Sequence, residues 1–184
     1  MVWREGCMPS RWKVATIVPL LNPGKGPPTP TSCRPTALTS CLFKTFECVV
    51  NNRLTHFLEE HKCLNHYRCG FRVGCSTVDH LIHFETTICE AFFRIQHCVS
   101  VFFGLEKAYD TTWQYGTLPD LHWRPCCDYR ALQCVDDFLQ GRTFRIKVDT
   151  TLSCPFIQVN GVLQGSVISV SHFIVKMNSV ANAI

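Results

Sequence analysis

A chain of mixed helix and sheet, α+β or α/β, is predicted by three features of the sequence. Residues 40–60 repeat apolar side chains at helical spacing. Residues 143–149 alternate apolar and charged side chains with the period of a strand. Helices come first, and strands interleave with helices afterwards. With 46% hydrophobic and 17% charged residues, the 184-residue chain can build a core and is not a disordered tail.

Residues 14–20 form the first strand candidate. A loop follows over 21–32, LNPGKGPPTPTS, because Pro19, Pro23, Pro27, Pro28 and Pro30 cannot donate to a helix or a central strand. Lys25 sits on that loop between two glycines. Over 40–60, Leu42, Phe43, Phe46, Val49, Val50, Leu54, Phe57 and Leu58 recur at helical spacing, leaving Lys44, Glu47, Asn51 and Arg53 mostly outside.

Residues 65–76 read as a loop punctuated by Gly70 and Gly74. Ser76 is an N-cap candidate with Asp79 three residues on, where a carboxylate also meets the helix dipole. The helix it opens carries Leu81, Ile82, Ile88, Ala91, Phe92 and Ile95 and stops near Gln96. Residues 98–103, CVSVFF, are β-branched and aromatic and predict a buried strand, followed by a turn at 104–107. The two helices are expected to pack their apolar stripes together or on the sheet. Pro119 and Pro125 interrupt the next stretch, and 129–139 reads as a short helix. On the strand 143–149, Phe144, Ile146 and Val148 share one face and Arg145 and Lys147 the other. Residues 156–160 can pair with it, and the chain is helical after the glycine turn near Gln164.

Composition narrows the class further. The net charge of +4, from 18 basic and 14 acidic residues, favours a polyanionic partner only weakly. No apolar run reaches the roughly 20 residues of a membrane span, and no signal peptide is read at the charged N-terminus, so an intracellular chain without a membrane partner is expected. Its 13 cysteines are then expected to be reduced thiols. Cys63, His66, Cys69 and Cys75 do not have the paired spacing of a structural zinc site, and no such site is expected.

Three features carry chemistry. Glu106, Lys107, Tyr109 and Asp110 follow the candidate strand 98–103, at the end where open sheets bind ligands. The loop 161–166, GVLQGS, leads into a helix N-terminus, whose free N–H groups suit phosphate. Lys13, Lys25, Arg34, Arg68, Arg72, Arg145 and Lys147 recur on loops and strands. Solvated faces and turn glycines would leave the same marks.

The blocks WKVATIVPLLNPGKGP, SCRPTALTSCLFKTFECVVNNRL, YRCGFRVGCSTVDHL, VFFGLEKAYDTTW, FLQGRTFRIKV and GVLQGSVIS, in this order, resemble the reverse transcriptase of non-LTR (LINE-like, jockey-type) retrotransposons. The resemblance implies an α+β right-hand polymerase, with fingers-like residues 1–97 and a partial palm over 98–184. Within that palm, 98–113 correspond to motif A and 161–178 to motif B. It also implies two-Mg2+ phosphoryl transfer, an RNA template, a DNA primer and dNTP substrates. Lys25 and Arg34 would present cations to triphosphate or template, and Arg72 would meet the template backbone. Tyr109 would pack beneath the sugar and exclude a 2′-hydroxyl, while Gln164 and Gly165 would position nucleotide and template base.

The same resemblance marks departures. Gly104 stands where the family's palm strand has a metal-binding Asp, so no complete catalytic set is expected and this fragment is expected to bind no Mg2+ by itself. The family's [FY]-x-D-D hairpin is expected beyond Ile184, so the palm is read as incomplete. Cys134-Val135-Asp136-Asp137 imitates that hairpin but precedes GVLQGS, so its acids are read as a helix's solvated face. Cys33 replaces a usual Tyr, Cys75 a usual polar residue, and Leu163 and Val170 usual prolines, which suggests mutational drift in a decaying element. The expected function is therefore a fragment of an RNA-directed DNA polymerase without activity by itself; a non-catalytic nucleic-acid-binding remnant, or an unstable pseudogene product, is the alternative.

Overall fold

The computed structural model describes residues 2–26, 29–65, 69–114 and 129–181. Pro27, Pro28, His66, Arg68, Pro119 and Pro125 lie outside them. The chain opens with a short helix α1 (Val2–Glu5) and a 3-10 turn (Ser10–Lys13) that leads into β1 (Val14–Leu21). Next come β2 (Cys33–Leu38), α2 (Cys41–Glu60), α3 (Thr77–Phe93) and the single turn α4 (Ala108–Thr111). The rest comprises α5 (Tyr129–Leu139), β3 (Thr143–Val148), β4 (Thr151–Leu152), β5 (Phe156–Ile157) and α6 (Val167–Ala181). The class is α+β.

The sheet runs β2-β1-β3-β4, with β5 also paired to β3. β1 is antiparallel to β2 and parallel to β3, so residues 14–17 and 143–146 share one sheet. β2 was not legible in advance, because Pro35 breaks the strand pattern. It lies at the sheet edge, where a missing N–H is tolerated. Pro19 lies in the strand, as the candidate 14–20 expected, and faces Pro35 across the β1–β2 ladder. Two prolines have no N–H to exchange, so they can face each other only at a non-hydrogen-bonded position. The pairing of β1 with β3 ends at Ile17, which leaves Pro19 with a neighbouring strand on one side alone.

Helix α2 is the centre of the core. Phe43, Glu47, Val50, Leu54 and Leu58 are buried along one stripe of it. They pack with Leu132, Val135, Phe138 and Leu139 of α5 and Ile168 and Val175 of α6. Trp12 and Phe138 bracket the Phe43 ring at 5.5 and 6.0 Å. A smaller cluster, Ala15, Ala37 and Leu163, lies against the sheet with Ile17 and Phe144. The expected face of α2 needs two corrections. Leu42 and Val49 are exposed, whereas Glu47 is fully buried. The spacing 43-47-50-54 places Glu47 on the buried stripe; only its polarity argued otherwise.

Asp137 on α5 is corrected too. Instead of facing solvent, its carboxylate accepts the Met8 N–H at 2.6 Å and the Lys13 ammonium at 2.7 Å, tying the N-terminal segment to the helix. Arg142, just past α5, is 1% exposed; its guanidinium donates to the Phe138 carbonyl and sits 4.5 Å over the Phe138 ring.

Residues 98–103 overturn the strand expected there. They are irregular, and Val99, Val101, Phe102 and Phe103 are exposed. β-Propensity supplies side chains that suit a sheet, but a strand also needs a hydrogen-bonded neighbour. Among the described residues none pairs with this segment, since both sides of β1 are taken by β2 and β3. The turn expected at 104–107 is confined to 106–107. Helix α3 forms as expected, with the reciprocal Ser76–Asp79 capping box, yet it buries no residue. Leu81, Ile82 and Phe92 face solvent, because the buried arc of α2 is already spent on α5 and α6.

Both long helices end alike. After α3 the Gln96 N–H bonds the Ala91 carbonyl and the Ile95 N–H bonds Phe92, a Schellman ending that sets Ile95 at φ 52°. After α2 the same pattern puts Lys62 at φ 49°. A left-handed conformation costs a non-glycine residue about 1–2 kcal/mol, more than the roughly 0.5–1 kcal/mol of chain entropy that glycine brings. Ile95→Gly is therefore expected to stabilise the fold by about 0.5–1 kcal/mol. Urea denaturation of parent and variant checks it, and an unchanged midpoint would show that the Schellman ending is not populated.

Candidate functional site

One cleft of about 810 Å³ opens beside the N-terminus of α6. Arg34 and Thr36 of β2, Asn51 and Thr55 of α2, Tyr109 of α4 and residues 164–167 line it, with Phe71 at its edge. Four residues singled out from the sequence, Arg34, Tyr109, Gln164 and Gly165, thus meet in one place although Arg34 and Gly165 are 131 residues apart in the chain.

They meet because the loop 161–166 is gripped from two sides. From β2, the Ala37 N–H donates to the Gln164 carbonyl at 2.7 Å. From α4, the Tyr109 carbonyl accepts the Val162 N–H at 2.8 Å, and the Thr112 carbonyl accepts the Gly161 N–H at 3.1 Å. Gln114 and Gln158 both donate their side-chain amides to the Gly161 carbonyl. Gly161 has φ +74°, and a Cβ there would lie 2.5 Å from the Asp110 carbonyl oxygen. Only glycine lets the loop approach α4 this closely.

Tyr109 is half-buried, its ring stacked on Phe173 at 5.4 Å, and burial pushes its hydroxyl pKa up, so it is a neutral flat surface. Gln164 donates its amide to the Asp110 carboxylate at 3.2 Å. Arg34 is exposed on the rim. Two expected residues are elsewhere. Lys25 is on the exposed loop after β1 and does not line the cleft. Arg72 is folded back in a two-pronged ion pair with Glu59, at 2.5 and 2.8 Å, and donates to the Asn65 carbonyl; the Glu59 bond pushes its pKa further up.

The helix N-terminus expected to suit phosphate already holds an anion. The Glu47 carboxylate rises from α2 beneath the cleft and accepts a hydrogen bond from the Ser166 hydroxyl, while its Oε2 is buried without a hydrogen-bond partner among the described residues. The Ser166 hydroxyl oxygen in turn accepts the Ser169 N–H. Next to it, the Ser171 hydroxyl donates to the Asn51 side chain, a second polar link between α6 and α2. Burial pushes the Glu47 pKa up, against the pull of Ser166 and of the Arg142 guanidinium. Burial likewise draws Arg142 down to about 10. Glu47, Asn51 and Ser171 were not foreseen; the helical spacing of 43, 47, 50 and 54 was the signal for the first.

Residues 22–184 match the family described as reverse transcriptase (RNA-dependent DNA polymerase), and the chain belongs to that family. It is 34% identical over 168 residues to the probable RNA-directed DNA polymerase from transposon BS of Drosophila melanogaster, covering 91% of this chain and 18% of that relative. Against the RNA-directed DNA polymerase from mobile element jockey of the same fly it is 30% identical over 171 residues, 89% of this chain and 18% of the relative. The jockey-type resemblance is borne out. The chain spans less than a fifth of the length of these relatives.

The donor set does not fit the divalent metals such a family implies. Position 104 is glycine in open space, Asp110 is engaged by Gln164, and Asp137 by Lys13 and Met8. Among the described residues no three of His, Cys, Asp and Glu are grouped to hold an ion. Nor is any described helix long and apolar enough to cross a membrane.

Gly161→Ala adds a left-handed penalty and a backbone clash, and is expected to cost about 2–4 kcal/mol. Chemical denaturation measures it; a loss under ~0.5 kcal/mol, the usual range of surface substitutions, would show that the loop does not sit on α4. Glu47 sets a pH dependence. Its folded pKa lies above the usual 4.5, so the folded chain holds that proton more tightly than the unfolded chain. Its contribution to stability is full below pH 4.5 and is lost as pH rises past it. His172, held low by burial and by Lys176 against the pull of the Trp113 carbonyl, slopes the opposite way below 6.5. The difference between the parent and Glu47→Gln isolates Glu47: stability curves from about pH 4 to 8 should show the variant gaining on the parent as pH rises. Parallel curves would place Glu47 in water.

Proposed function

We propose that the chain is the fingers region and first part of the palm of a non-LTR retrotransposon reverse transcriptase, and that its cleft receives nucleotide and template without performing the transfer. The observation carrying this is the convergence of Arg34, Tyr109, Gln164 and Gly165 on one cleft. Arg34 would offset phosphate charge at the rim. Tyr109, backed by Phe173, would lie under the deoxyribose and leave no room for a 2′-hydroxyl. The Gln164 amide would leave Asp110 for a base edge or nucleotide, while Gly165 admits close approach. Residues 1–97 would form the fingers and 98–184 the partial palm; dNTP, RNA template and DNA primer are the partners this assigns.

The missing chemistry traces to Gly104. Two divalent cations about 4 Å apart need shared carboxylates to offset their repulsion, and glycine supplies none. Removing one preorganised electrostatic group from an active site costs about 100- to 1,000-fold in rate.

A primer-extension assay on an RNA template with Mg2+ tests the reading, run beside a binding titration with labelled primer–template. The 184-residue chain is expected to bind, with affinity falling steeply as salt rises, and to extend nothing. Templated DNA synthesis by the unmodified chain would overturn the catalytic half. Absence of salt-sensitive binding would overturn the other half.

A further inference from the structure

We propose that Phe71 is a stacking platform for one unpaired nucleobase of a single strand laid across the cleft. This rests on the reading of the cleft as a nucleotide site. Phe71 is 64% exposed, and unlike the other exposed rings it lines both the 810 Å³ cleft and a neighbouring 240 Å³ cavity. It is therefore the ridge between them. Thr55, Ser171 and Ile174 also line both, so the two spaces adjoin along these residues.

The backbone holds the ring there at a cost. Phe71 has φ +60°, a conformation that bulky residues rarely adopt. The next residue is anchored: Arg72 grips Glu59 of α2 and the Asn65 carbonyl, so the guanidinium braces the loop while the ring points outward. Strain at a non-glycine residue, kept in place by a specific ion pair, is a feature associated with binding sites. Chemistry names the occupant. An exposed aromatic ring beside a cationic rim residue, Arg34, and hydrogen-bonding side chains, Asn51 and Gln164, is the combination that holds single-stranded nucleic acid, with a base on the ring and phosphate at the cation. Stacking is indifferent to the sugar, so RNA and DNA share this contact.

The experiment titrates the full chain with fluorescein-labelled single-stranded RNA and DNA oligonucleotides of matched sequence, and with an abasic version of each. Phe71→Ala and Phe71→Gly are expected to weaken binding about 5- to 150-fold for both RNA and DNA. Neither should weaken the abasic strands. Phe71→Gly also relieves the left-handed residue, so its melting temperature should not fall, which separates lost stacking from lost fold. Phe71→Trp should keep affinity, and its added emission should be quenched by the base-bearing strands only. Arg34→Ala should instead flatten the salt dependence by about one unit of slope, a change Phe71→Ala should not make. Unchanged affinity in Phe71→Ala, with Arg34→Ala weakened, would overturn the platform and leave the cleft reading standing. Equal losses on abasic strands would also overturn it. If the parent binds no strand at all, the cleft reading falls and the platform with it.

Discussion

The buried carboxylate of Glu47 is the interaction on which the cleft depends. It stands fully buried in the centre of α2 and accepts the Ser166 hydroxyl, at the N-terminus of α6. A buried acid is expensive unless its hydrogen bonds are satisfied, and a helix N-terminus is short of acceptors. The Ser166 bond and the partial positive charge of the helix end offset part of that cost, while Oε2 stays without a partner among the described residues and the pKa stays raised. The consequence is positional. With α6 pinned by its first residues to α2, the loop that precedes it has little choice of path.

That loop carries Gln164 and Gly165, and its remaining freedom is removed by backbone contacts. β2 holds the Gln164 carbonyl, and α4 holds Gly161 and Val162. Gly165 has φ +107° and lies where a Cβ would be 3.1 Å from the Ala37 carbonyl oxygen. The two glycines thus serve two different neighbours: one admits α4, the other admits the sheet edge. Arg34 and Tyr109 reach the cleft only because β2 and α4 are the elements doing the gripping.

The site was legible in the sequence through motif blocks, and its assembly was not. Arg34, Tyr109, Gln164 and Gly165 were each marked by a block, and the fold brings them together. Arg72 was marked as well, yet Glu59 lies within reach on α2 and a two-pronged ion pair takes it. No local pattern foretells that pairing, since the partners are 13 residues apart on different elements. Glu47 was misread for a related reason. Its charge suggested the surface, while the position of its stripe said core, and the acceptor-poor end of α6 decided between them.

What the sequence alone determined was local: helices near 40–60, from Ser76 toward Gln96, at 129–139 and after Gln164, the Ser76–Asp79 cap, and strands starting at 14, 143 and 156. Helical hydrogen bonds close within four residues, so period and caps suffice to specify them. Tertiary structure decided what needs a distant partner. CVSVFF has the side chains of a buried strand but no described neighbour to bond, and α3 has an apolar stripe but no described surface to cover it. Conversely, β2 forms despite Pro35, because β1 supplies the ladder that its own sequence does not advertise. Strand pairing and burial are properties of two segments at once, so one segment read by itself cannot settle either.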